Sequence, residues 1–219
     1  PQDIDWRQSA KTDRIYIRQK EKQAAQKHFF WCASGPGMDF HSEKNLLTKS
    51  HTAQLLSLAL AILMTQADEQ VGTLQDGQTG HTDTTLMRLA ESLIQSTQDT
   101  GEFPNTHHNN IPRNAYITLS GDFLIPFNIF HEKFEALSQH SKQGLLIQIL
   151  DPAEHIFPYK GHVQFIQPKT SMNVTIDQAT SIQNAYQKRI TGHIESIRAL
   201  SQKHGWIYVF HRTDTPLLK

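Results

Sequence analysis

Apolar residues fall along this chain in two alternating patterns: short, nearly continuous runs, and longer stretches in which they recur at helical spacing. His28-Phe29-Phe30-Trp31-Cys32-Ala33 is such a run and stops at Ser34-Gly35-Pro36-Gly37, the pattern of a buried strand entering a tight loop. Over residues 44–66, Leu47, Leu55, Leu58, Ala59, Ile62 and Leu63 follow helical spacing. Residues 55–64 are apolar nearly all round except Ser57, which predicts a heavily buried helix. Residues 71–74 form a second short strand, and Leu86, Leu89, Ala90, Leu93 and Ile94 mark a second helix with Thr82 or Asp83 as N-cap. Residues 100–113, with Gly101, two prolines and His107-His108-Asn109-Asn110, read as an exposed loop. A strand over 115–119, a helix capped by Asn128 and carrying Phe130, Phe134 and Leu137, and an apolar strand over 144–150 continue the alternation.

Residues 155–176 break the rhythm. Val163 and Phe165, then Val174 and Ile176, alternate around Pro168-Lys169-Thr170-Ser171, which predicts an inserted antiparallel hairpin. A long helix from Asp177 carries Ile182, Tyr186, Ile190, Ile194 and Ile197 on one stripe and ends at Gly205, before a last strand over 206–210. Continuous apolar strands separated by amphipathic helices indicate a mostly parallel sheet covered on both faces. The runs 29–33, 115–119, 145–150 and 207–210 are therefore expected as parallel neighbours, with the 55–63 helix packed on them.

Composition narrows the function classes. The 219 residues carry 21 Lys plus Arg and 21 Asp plus Glu, and 37% are hydrophobic, which gives no basis for a nucleic-acid binder or a disordered tail. The length suits one large α/β domain, 1–219, with an N-terminal arm over 1–27. A single cysteine, Cys32, forms no internal disulfide and suggests a reducing, cytoplasmic setting. The longest apolar stretch, 58–64, is far below the roughly 20 residues that span a bilayer, so this segment is expected not to be membrane-embedded. The chain opens at Pro1 and stops at Lys219 in mid-pattern, as a piece of a longer protein does, and membrane association through regions outside it stays open.

In an open parallel sheet, ligands gather at the carboxyl ends of the strands, which points to the loops after Ala33, Leu74, Leu119 and Leu150, and first to Ser34-Gly35-Pro36-Gly37-Met38-Asp39. A phosphate loop would need a Gly-Lys-Ser/Thr ending, and Cys32 stands where a G-x-S-x-G nucleophile elbow needs its first glycine. A hydrolase would have to use Ser34 with a histidine such as His81 or His211. His107-His108 lack the i, i+4 spacing of a metal pair, and Cys32 fits a buried small hydrophobe. Asn173-Val174-Thr175 fits a glycosylation sequon that a cytoplasmic chain would not expose to the modifying enzyme. In the arm, Arg7, Lys11, Arg14, Arg18, Lys20, Lys22 and Lys27 outnumber Asp13 and Glu21, a solvated face or a surface that steers an acidic partner. The consecutive N–H groups of the glycine loop could bind a partner carboxylate directly.

The opening Ile4-Asp5-Trp6-Arg7-Gln8-Ser9-Ala10-Lys11, followed by Arg14-Ile15-Tyr16-Ile17-Arg18, resembles the D-W-R-x-S-A-R signature of bacterial domain-of-unknown-function family 58, a group of von Willebrand factor A-like domains. The resemblance extends through the glycine loop, Ser120-Gly121-Asp122-Phe123-Leu124, Leu150-Asp151-Pro152 and Thr213-Asp214-Thr215-Pro216-Leu217. It implies a three-layer von Willebrand A-type sandwich with a metal-ion-dependent adhesion site, in which an aspartate and two serines of D-x-S-x-S hold Mg²⁺. Counted back from Met38, those three positions are Ala33, Gly35 and Gly37, so the site is degenerate; Asp122, Ser34 and Ser120 are what remains for a metal. The resemblance further implies a non-catalytic adaptor, with no required cofactor, working beside a MoxR-type AAA+ ATPase in protein assembly or remodelling. Ser34, Gly35, Gly37, Asp122, Asp5, Trp6 and Arg7 are the expected partner-binding residues. A Mg²⁺-dependent adhesion module using Asp122 is the alternative reading, and the Ser34 hydrolase a second.

Overall fold

The computed structural model describes residues 25–95, 103–104, 112, 114–166 and 173–216. Its elements run β1 (Lys27–Cys32), α1 (Lys49–Gln66), β2 (Gln70–Thr73), β3 (Thr79–Gly80), α2 (Asp83–Gln95), β4 (Ala115–Gly121), α3 (Phe127–Ser138), β5 (Ser141–Leu150), α4 (Pro152–Ile156), β6 (Val163–Ile166), β7 (Asn173–Ile176), α5 (Ala179–Lys203) and β8 (Ile207–Arg212).

Among the described residues, six strands form one sheet in the order β3-β2-β1-β4-β5-β8. The expected neighbours are parallel: Phe29 pairs with Ile117, Ile117 with Gly144, and Leu145 with Ile207. Among the described strands of this sheet, only the two-residue β3 runs antiparallel, against β2. Side chains alternate across a strand, so successive residues report on opposite layers. Cys32 and Ser120 face α1, whose Ser57 hydroxyl lies 3.3 Å from the Cys32 sulfur and 3.0 Å from Ser120 Oγ. Trp31 faces the other way, stacked on Phe123 and tilted against Phe103, both of which contact Phe130 of α3. Helices thus cover both faces. On the α3 side, Trp206 lies edge-on to Phe134 and packs directly over β5, where a Cβ on Gly144 would stand 2.2 Å from the indole.

The long helix α1 corrects the sequence reading. Its buried line is Lys49, Ala53, Ser57 and Ala61, one residue per turn, while Leu55, Ile62 and Leu63 are exposed. Small side chains bring the helix close to the sheet, and its polar members find hydrogen-bonding partners, so the largest apolar residues are not the inward ones. Asn128 is likewise not a cap: α3 begins at Phe127 after Pro126 and has no side-chain cap. Thr82, rather than Asp83, accepts from the Thr85 amide at the start of α2. The hairpin is present as β6 and β7, paired antiparallel, but residues 152–156 before it form the short helix α4. Gly205, at φ 72°, follows the last turn of α5 as expected. No described helix is long and apolar enough to cross a membrane. The arm before residue 25, the His107-His108 pair and the hairpin turn over 167–172 lie outside the described residues.

Candidate functional site

Three chain segments meet where β1, β4 and β5 end. After β1, the Ala33 amide donates to the Ser120 carbonyl at 2.7 Å, and the chain turns at Gly35, whose φ of 118° lies in the region open to glycine. The turn is closed by Met38 N–H donating to Gly35 O and tied to α1 by Ser50 N–H donating to Met38 O, each at 2.9 Å. Gly121 allows β4 to approach this turn, since a Cβ there would stand 2.6 Å from that of Ala33. A Cβ on Gly37 would face Asp122 Oδ2 at 3.8 Å, so the glycine turn lies against that carboxylate.

Asp122 is fixed from several sides. Its Oδ1 accepts from the Leu124 amide at 3.3 Å, and its carbonyl accepts from the buried Gln148 side chain at 3.0 Å, which in turn accepts from the Tyr208 hydroxyl at 2.7 Å. Phe123 takes up a left-handed backbone, φ 51°, with its carbonyl 2.8 Å from His193 Nε2 of α5. After β5, Asp151 and Glu154 form a capping box around α4: Ala153 N–H donates to Asp151 Oδ1 at 2.8 Å, and Asp151 N–H donates to Glu154 Oε2 at 3.0 Å. The Ser42 amide donates to the other Asp151 oxygen at 2.9 Å, tying the segment after the glycine turn to α4.

Lys49 closes the arrangement. It is the first residue of α1, its side chain is 0% exposed, and its ammonium lies 2.9 Å from Asp122 Oδ2 and 2.5 Å from Glu154 Oε1. Burial alone would lower its pKa, but the two carboxylates outweigh that and raise it, so the ammonium stays charged. Two carboxylates share one cation, and burial accordingly raises the pKa of Glu154 despite Lys49. Above the triad lies a cleft of about 180 Å³ lined by the turn residues Ser34, Gly35 and Gly37, by Lys49, Asp122 and Glu154, and by apolar neighbours including Leu124 and Ile125.

The cleft brings together Ser34, Gly35, Gly37 and Asp122 of the residues expected from sequence. Ser120 stands apart, fully buried beneath the site with its hydroxyl on Ser57. Asp5, Trp6 and Arg7 lie outside the described residues. Among the described residues no histidine lines the cleft; His81 is exposed and His211 lies on β8. Burial pushes the Cys32 thiol up to about 12, so it stays protonated and inert as a nucleophile.

A divalent ion does not fit this donor set. Ala33, Gly35 and Gly37 offer no side-chain oxygen, and an ammonium already stands between the two carboxylates. Among the described residues no group of three or more His, Cys, Asp or Glu is placed to hold a metal.

The model of the family described as "Protein of unknown function DUF58" matches residues 2–196. The chain belongs to the DUF58 family. No curated protein and no solved structure matches it. Two site residues of this DUF58 chain escape a reading by motif, Lys49 and Glu154. Glu154 had a signal in Asp151-Pro152-Ala153-Glu154, a capping-box spacing. Lys49 had no such signal: the helical spacing starts at residue 44, whereas α1 begins at Lys49 itself and so sets this cation in the first turn, where the dipole disfavours it.

Proposed function

We propose that this DUF58 chain is a non-catalytic protein-interaction module on a von Willebrand A-like sandwich, working in the cytoplasm with a MoxR-type AAA+ ATPase to assemble or remodel other proteins. The order of the described strands, with the antiparallel β3 at one edge, and the helices on both faces support that architecture. The observation that carries the functional reading is the closed charge triad: Lys49 compensates Asp122 and Glu154 from within, so the cleft at the strand ends offers a preformed surface rather than an open coordination site. That no imidazole lines the cleft among the described residues, beside the serine of the glycine turn, supports binding over acyl transfer.

The test is direct binding of the domain to a purified MoxR-type ATPase from the same source. Binding measured without nucleotide is expected to persist in EDTA and to be unchanged by Ser34→Ala. Leu124→Asp, which adds a third carboxylate at the cleft wall, is expected to weaken it. Release by EDTA under those conditions, or a hydrolytic turnover abolished by Ser34→Ala, counts against the proposal.

A further inference from the structure

Lys49 is placed where its own element does not favour it. A positive charge at the first turn of α1 opposes the helix dipole, and a fully buried ammonium is costly unless paired. What holds it there is a pair of carboxylates from two separate loops, Asp122 after β4 and Glu154 in α4, each oriented by backbone amides of its own segment. The carboxylates are thus positioned independently of the lysine, and they converge on one point that a cation occupies. Both keep an edge toward the cleft, at 16% and 19% exposure. One ammonium leaves this trio with a net charge of minus one, whereas a divalent ion in the same place would leave the two carboxylates neutralised.

We propose that Lys49 is a built-in substitute for a divalent cation, and that shortening its side chain converts the cleft into a site for a hard, oxygen-seeking ion such as Ca²⁺ or Mg²⁺. The ammonium does what an ion would do: it draws the β4 loop, α4 and the start of α1 onto one positive centre. Its tether makes the joint permanent and excludes the ion. The inference deepens the proposed metal-independent binding and shares its view of the cleft, but ion titrations read it without any partner, so the two fail separately.

The experiment compares the full chain with three variants, by calorimetric titration with Ca²⁺ and Mg²⁺, which histidine does not favour, and by thermal unfolding with the ion or with EDTA. Lys49→Ser opens the space and is compatible with the first turn of a helix. Lys49→Met removes the charge but fills the space. Lys49→Ser/Asp122→Asn opens the space and removes a ligand. The parent chain is expected to show no saturable binding at this site and the same unfolding temperature in either condition. Lys49→Ser should bind one ion at least about tenfold more tightly than Lys49→Met does, and its unfolding temperature should rise with the ion. The double variant should lose both effects. If Lys49→Ser is unfolded in EDTA, refolding on addition of the ion is the expected result. A folded Lys49→Ser that gains no affinity overturns the proposal, as does an unfolded one that the ion does not refold. So does saturable binding by the parent chain that Asp122→Asn abolishes.

Discussion

At the scale of single residues, a buried cation shared by two acids sets the local chemistry. Removing one partner of a buried ion pair leaves the other without compensation and typically costs about 3–5 kcal/mol. Lys49→Met is expected to destabilise the fold by that order in urea denaturation, and Glu154→Gln added to it should recover part of the loss by removing one of the two stranded charges. The pH dependence has a definite sign. Because the folded-state pKa of Lys49 is raised, the folded chain holds this proton where the unfolded chain has released it. Its contribution is complete below the ordinary lysine value of 10.5 and is lost as the pH rises past it through the folded value. Urea titrations at increasing alkaline pH should therefore show a fall in stability in the parent chain that is smaller in Lys49→Met. Glu154 has the same sign at the acid end: its raised pKa makes stability decline as the pH climbs from its ordinary value of 4.5. The glycine turn with Ser34, Gly35 and Gly37 was legible because loops at the strand ends of a parallel sheet converge by topology, whereas Asp122 came from the family resemblance. The lysine was not, because a positive residue beside a helix start carries no apolar signal and its partners lie far along the chain.

At the scale of elements, α1 shows why apolar spacing located the helix and still misjudged its inner face. Lys49, Ala53, Ser57 and Ala61 share one ridge, whose buried polar atoms are satisfied by Asp122 and Glu154 at Lys49 and by Cys32 and Ser120 at Ser57. A rule that turns the largest side chains inward cannot see a helix seated on small ones, since the gain there comes from close approach and paired hydroxyls rather than bulk. The two faces should respond oppositely to substitution. Leu63→Gln, on a side chain 59% exposed, is expected to change stability by no more than about 0.5 kcal/mol. Ala61→Leu, at a position 0% exposed, should cost about 1–3 kcal/mol by overpacking. Chemical denaturation of both variants checks the inversion. The β-strands were easier to read because burial on both faces of a parallel sheet gives unbroken apolar runs, as in residues 29–33. The two-residue β3 was invisible for the opposite reason: Thr79-Gly80 has neither length nor hydrophobicity to mark it.

At the scale of the whole molecule, the sheet places the first described strand, β1, between β2 and β4, so its core closes only as distant segments arrive. The same holds for the cleft. Lys49 is 73 residues from Asp122 and 105 from Glu154 in sequence. Contacts that close long loops are entropically expensive to form early, so they enter late on the folding route, after local helices and neighbouring strand pairs. In any partly folded chain that ends before α4, this ammonium lacks one of its two carboxylates, and the site is complete only once Glu154 has arrived. Lys49 then acts as a final latch: Lys49→Met should leave the refolding rate nearly unchanged and speed unfolding, which stopped-flow measurements in urea would resolve. A joint whose cation travels with the chain closes in every molecule that completes its fold, at a rate that owes nothing to the supply of free ions.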